Sequence, residues 1–149
     1  MMIPNDLYVR ILESIPVCCV DVVLIHRGKV LLVCRNENPA KNQWWLPGGR
    51  LLKGETFVEA AKRKAKQELG LDVEVDRKIG SYEVMFNEAP FPEIKSGIHE
   101  VAVCFVVRPS GDVSISLDET SGKYRWVDRI DEGLHGYVKQ VLVDASVLS

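Results

Sequence analysis

The sequence predicts an α+β domain in which a β-sheet is covered on both faces by helices. Three observations lead there. The apolar runs at 17–25, 29–34 and 98–107 lack the in-out alternation of a sheet with one wet face. A helix with its own start and stop signals lies between strand-like runs, over 56–69. Helical spacing recurs near both ends of the chain. With 149 residues, 46% of them hydrophobic, the chain suits a single domain, 1–149.

Asn5 or Asp6 is expected to cap a short helix carrying Leu7, Ile11 and Leu12, and Pro16 forces an extended start to the next element. Val17 to Ile25 and Lys29 to Cys34 read as strands joined at a tight hairpin by His26-Arg27-Gly28. Trp44-Trp45-Leu46 is a brief apolar piece ahead of the break Pro47-Gly48-Gly49. Thr56 with Glu59 three residues on makes a capping box, and Gly70 suits a left-handed stop. Asp72 to Phe86 and Ile98 to Val107 read as strands, joined by the loop Asn87 to Gly97 that could cover a ligand. Shorter strands at Val113 to Leu117 and Tyr124 to Val127 come next, then a helix over Leu134 to Leu148 despite Gly136.

Composition excludes several classes. A net charge of −2 argues against a nucleic-acid surface, which needs clustered positive charge. No uncharged apolar run of 18 residues is present, so no membrane partner is expected. Met1 to Asp6 lack the basic start and apolar core of a secretion signal, which makes the cytoplasm the expected compartment. Cys18, Cys19, Cys34 and Cys104 sit in strand-like runs without zinc spacing and read as reduced core thiols.

The 56–69 helix carries a charge where none is expected. At about 100° per residue, Val58, Ala61, Ala65 and Leu69 share an inward arc that Phe57 extends, and Glu68 projects between Phe57 and Ala61. A buried carboxylate needs a salt bridge, a hydrogen-bond network or a bound cation. Lys64, four residues earlier, is the ionic candidate. The preceding Gly48-Gly49 loop supplies the other route, because its backbone carbonyls can coordinate a hard cation beside a carboxylate. Glu55, just ahead of the cap, has a structural role available with the helix's first amides as well as a catalytic one.

These positions resemble the Nudix box, G-x5-E-x7-R-E-U-x-E-E-x-G-U with U aliphatic, here GGRLLKGETFVEAAKRKAKQELGL, with the box over 49–71. Gly49, Glu55, Arg63, Glu68, Gly70 and Leu71 fall on it. The resemblance implies a Nudix-type α/β/α sandwich with a mixed central β-sheet flanked by helices, and a metal-dependent hydrolase of a nucleoside diphosphate linked to another group. Two glutamates of the usual box are Lys64 and Gln67 here, leaving Glu68 with the Gly49 carbonyl to hold one Mg2+, for which Mn2+ can substitute. That loss, with Arg50 directly after Pro-Gly-Gly, is similar to the GDP-mannose mannosyl hydrolase branch.

The branch resemblance implies that Arg35 and Arg50 contact the diphosphate, Asp21 the sugar, and Tyr8 the guanine, the aromatic there coming across a homodimer interface. The expected partner is a nucleotide or nucleotide sugar. One departure stands out: the branch has Gln-His before Tyr-Arg-Trp, where this chain has Asp118-Glu119-Thr120-Ser121-Gly122. A base must then come from Glu119, from His99 on its strand, or the mechanism must differ. The same residues serve attack by water at phosphorus, as in pyrophosphohydrolases, and a degenerate domain that only binds is the reading from another class.

Overall fold

A computed structural model describes residues 3–148. Helix α1 (Asn5–Ser14) leads into strands β1 (Val17–His26) and β2 (Lys29–Arg35), the short strands β3 (Trp44–Trp45) and β4 (Gly48–Arg50), and helix α2 (Phe57–Leu69). Strands β5 (Val73–Phe86), β6 (Ile98–Pro109) and β7 (Ser121–Val127) and helix α3 (Gly136–Ala145) complete the chain. The sheet runs β3-β2-β1-β6-β5, with β4 on β1 and β7 on β2. The β1–β6 pair is parallel and the other pairs are antiparallel, so the sheet is mixed.

Strand β1 explains the missing alternation. Val17, Cys19, Val23 and Ile25 pack with Val138, Val141 and Leu142 of α3 in one core. Val20, Val22 and Leu24 pack with Ala61, Ala65 and Leu69 of α2 in the other. Both faces are dry, so every residue from Cys19 through Ile25 is buried, Asp21 included. The β1–β2 hairpin pairs His26 with Lys29 around Arg27 (φ 52°) and Gly28 (φ 77°), the two positive angles of a type I′ turn.

Several expectations need correction. Helix α1 is preceded by Pro4 with no side-chain cap, so neither Asn5 nor Asp6 caps it. No strand forms over Val113 to Leu117: its Val, Ile and Leu still pack on the α2 core, but the Ser116 amide bonds the Leu69 carbonyl at the helix end rather than a strand. Strand β7 starts at Ser121, three residues early, because β2 continues the ladder as far as Arg35. Helix α3 is shorter than 134–148, begun by the His135 ring accepting from the Tyr137 amide and ended by Ser146 at φ 56°. On α2 the capping box and the left-handed Gly70 are present. Phe57 and Val58 stand on the inward arc yet are exposed, because they lie in the first turn; a helical wheel gives direction, not the length of the packed region. Among the described residues, no helix is long and apolar enough to cross a membrane.

Candidate functional site

Glu68, the last residue but one of α2, is buried, as are Ala60, Ala61, Ala65 and Leu69 on the same helix. One carboxylate oxygen accepts from the Gly48 amide at 3.2 Å, and the other lies 2.9 Å from Lys64 Nζ. Burial pushes its pKa up while Lys64 pulls it down. The ion pair and the inward carboxylate therefore occur together.

The β1–β4 ladder decides which backbone groups face Glu68. Val22 donates to Pro47 and Leu51 to Cys18, so the hydrogen-bonded pairs are Val22/Pro47, Val20/Gly49 and Cys18/Leu51. That parity turns the Gly49 amide and carbonyl into the ladder and those of Gly48 outward, as the Gly48–Glu68 bond requires. The carbonyl on the Glu68 side belongs to Gly48, one residue before the Gly49 expected from the sequence. Gly48 must lack a side chain: a Cβ there would run into Asp21 Oδ1 and the Val20 carbonyl.

Glu55 is held by Arg63, whose Nε and Nη2 reach its two oxygens at 2.6 and 3.0 Å, and it accepts from the Leu52 amide at 3.0 Å. Arg63 Nη2 also donates to the Arg50 carbonyl at 3.0 Å. This bidentate pair ties the loop before α2 to the helix and holds the Glu55 carboxyl below the usual carboxylate range, the Arg63 bond being the main cause. Glu55 thus has a structural role, though not the expected one: its partners are Arg63 and the Leu52 amide rather than the first amides of α2.

In front of Glu68 lies a groove of about 300 Å3 lined by Tyr8, Arg35, Arg50, Lys64, Glu68 and Glu100 among others. The Arg50 guanidinium stands 5.0 Å over the Tyr8 ring, and Phe91 from the 87–97 loop meets that ring edge-on at 6.1 Å. Arg35 spends Nε on the Pro39 carbonyl at 2.7 Å, which orients its guanidinium. Three cationic side chains so line one groove in a chain of net negative charge. Tyr8, Arg35, Arg50 and Glu68 are brought together, and Tyr8 reaches the groove within its own chain.

Asp21 sits deeper. It lines a recess of about 40 Å3 behind Gly48, shared with Arg35, Glu100 and Trp45. Tyr137 of α3 donates to Asp21 Oδ2 at 2.6 Å, so the Cys104 thiol, 3.1 Å from the same hydroxyl, donates to Tyr137 in turn. Burial raises the Asp21 pKa to about 7, although the Tyr137 bond opposes it. Burial also raises Glu100, which Arg35 counteracts. A recess of this size admits about one water molecule rather than a sugar ring.

The remaining expected residues fall elsewhere. Glu119 is exposed and is not among the groove residues; its carbonyl accepts from the Asn36 side chain at 3.2 Å. Asp118, one residue earlier, is also outside the groove lining, but its charge contributes to raising the Glu68 pKa, and its Oδ1 holds the Thr120 amide and hydroxyl at 3.1 and 2.6 Å. His99 points to the other side of α1, beside Met85, and lies 3.3 Å from Glu83. Asp118, Glu100 and Tyr137 are thus the residues the sequence did not single out. Only strand alternation around Ile98 hinted that Glu100 and His99 face opposite ways. Cys18, Cys19, Cys34 and Cys104 are free thiols, three of them buried.

The donors near Glu68 are hard oxygens, its carboxylate and the Gly48 carbonyl, with Asp118 beyond them, and that chemistry suits a hard divalent cation. The described residues contain no group of three or more His, Cys, Asp or Glu arranged to hold a metal, so backbone and substrate oxygens would have to complete any coordination shell.

The chain matches the NUDIX domain over residues 17–140. It is 34% identical over 140 residues to the low-salt glycan biosynthesis protein Agl8 of Haloferax volcanii, covering 94% of this chain and 88% of that one. It is 29% identical over 124 residues to the human 8-oxo-dGDP phosphatase NUDT18, covering 81% of this chain and 35% of that protein. The ADP-ribose pyrophosphatase of Methanocaldococcus jannaschii is 40% identical over 67 residues, 45% of this chain and 40% of that one. Among solved structures, the MutT protein of Methanosarcina mazei Go1 superposes with a TM-score of 0.71 at 22% identity, over 87% of this chain and 93% of that one.

Proposed function

The chain belongs to the Nudix hydrolase family, and on that basis we propose that it hydrolyses a nucleoside diphosphate linked to a sugar, GDP-mannose being the leading candidate. The observation that carries this reading is the groove itself, in which Arg35, Arg50 and Lys64 converge on the inward carboxylate of Glu68. Such a groove neutralises two phosphate groups, and its aromatic end at Tyr8 and Phe91 offers a face for a base. The relative named for glycan biosynthesis, matched over nearly the whole chain, supports a sugar on the diphosphate.

Nudix hydrolases use divalent metal ions, and we assign Mg2+ to Glu68 and the outward carbonyl of Gly48, with Mn2+ as a substitute. When bound, the ion would stabilise negative charge developing on the diphosphate. The chain's own part is to orient the diphosphate through the guanidinium groups of Arg35 and Arg50. Glu55 acts by fixing the loop through Arg63. Asp21 and Tyr137 support the groove floor from behind rather than touch the sugar. Asp118 replaces Glu119 as our choice for the group that orients or deprotonates water.

Incubation with a panel of sugar nucleotides and nucleotides in 18O water, with and without Mg2+, tests this. Label in the free sugar indicates attack at carbon with a nucleoside diphosphate leaving. Label in a phosphate product indicates attack at phosphorus, the reaction that the names of the 8-oxo-dGDP and ADP-ribose relatives favour. No turnover of any member rejects the hydrolase reading.

A further inference from the structure

The cation position at Glu68 already has an occupant. Lys64 Nζ lies 2.9 Å from Glu68 Oε2, with the two side chains only 12% and 7% exposed. The same ammonium packs on the β4 backbone, since a Cβ on Gly49 would stand 2.9 Å from Nζ and 2.7 Å from Cε. Its other polar neighbour is Gln67 Oε1 at 3.4 Å, a neutral group at a position where the usual box has a carboxylate. Lys64 thus lies between the glycine strand and the inward carboxylate, where a divalent ion shared by those two would sit.

We propose that Lys64 is a built-in competitor for the metal: its ammonium holds the Glu68 carboxylate in the metal-free protein and moves onto the substrate's diphosphate when the ion enters. The inference rests on the reading of Glu68 as the metal carboxylate. An ammonium and a divalent ion on one carboxylate repel strongly in a poorly solvated site. The displaced ammonium then needs another anion, and the groove it shares with Arg35 and Arg50 is where a diphosphate would lie. The four-carbon stem of lysine allows the move, which a shorter or rigid cation would not make. Metal and diphosphate therefore bind together more readily than either binds alone, and the coupling is reciprocal.

The test is Mn2+ binding without nucleotide, followed by the electron paramagnetic resonance of the free ion, in the parent protein, Lys64→Met, Lys64→Gln and Lys64→Arg. Lys64→Met and Lys64→Gln are expected to bind Mn2+ at least about tenfold more tightly than the parent, and Lys64→Arg to bind no more tightly than the parent. Lys64→Gln keeps an amide donor for Glu68, so the comparison survives if Lys64→Met does not fold, and circular dichroism reports that directly. With Mn2+ bound, calorimetry should show GDP binding weakened in both neutral variants, which lack the ammonium that moves onto the diphosphate. Equal Mn2+ affinity in the parent and the folded neutral variants overturns the proposal. Adding Glu68→Gln to Lys64→Gln separates it from the reading beneath: if Mn2+ binding is then unchanged, Glu68 is not the ligand and both fail, whereas binding lost with Glu68 but indifferent to Lys64 rejects the competitor alone.

Discussion

Tyr137 Oη and Asp21 Oδ2 lie 2.6 Å apart in the buried layer between α3 and β1, joining residues 116 positions apart in the chain. Asp21 has a native pKa of about 7 because burial disfavours its charged form, against an ordinary value of 3.8. Between those two values the native state binds more protons than the unfolded state, so this group makes stability fall as pH rises from about 4 to about 7. The Asp21→Asn variant keeps an acceptor for Tyr137 and cannot ionise. Urea unfolding at pH 5 and pH 8 should show a smaller drop in this variant, by up to a few kcal/mol. An unchanged slope with pH would mean that Asp21 is solvated in the native state.

Activity is expected to require a divalent metal and to depend on Glu68. Replacing it with Gln should cost at least about 100-fold in turnover, the scale for a central electrostatic group. The fold should survive, because Gln fills the same space and can still accept from Gly48. The melting temperature should not rise, since the largely buried Lys64 ammonium loses its partner. Near-normal turnover in Mg2+ would remove Glu68 from the site.

Arg35→Lys and Arg50→Lys should lower turnover more than stability. A guanidinium can bridge two phosphate oxygens where an ammonium meets one. Arg50 also stacks on Tyr8, so its replacement should raise KM for nucleotides as well. Kinetics and thermal melts run side by side decide it: parallel losses in both would recast the two arginines as structural.

The 118–122 loop allows a direct comparison of neighbours. Asp118→Asn should slow turnover by about 100-fold, within the range for a group positioned for proton transfer, while Glu119→Gln should leave it nearly unchanged. His99→Gln should also be silent, since that ring lies beside Met85 and Glu83, outside the groove. If Glu119→Gln is the slow variant, the loop rearranges around substrate.

Short-range chemistry made part of this protein legible in its residues alone. The Thr56–Glu59 capping box, Gly70 and the Arg27–Gly28 turn depend only on residues within a few positions of one another. Helical periodicity placed Glu68 inward, and the box spacing placed Glu55 just ahead of the helix that carries Arg63. Other features came from the assembled fold. Whether Gly48 or Gly49 turns its carbonyl to Glu68 depends on the parity of the β1–β4 ladder, which a shift of one residue reverses. That Glu119 is exposed while Asp118 is partly buried depends on how the loop meets its neighbours, and Asp21 gains its altered proton affinity from the exclusion of water beside an α3 hydroxyl far along the chain. Those outcomes belong to packing between distant segments, because burial and register are properties of the assembled sheet and not of any stretch of residues within it.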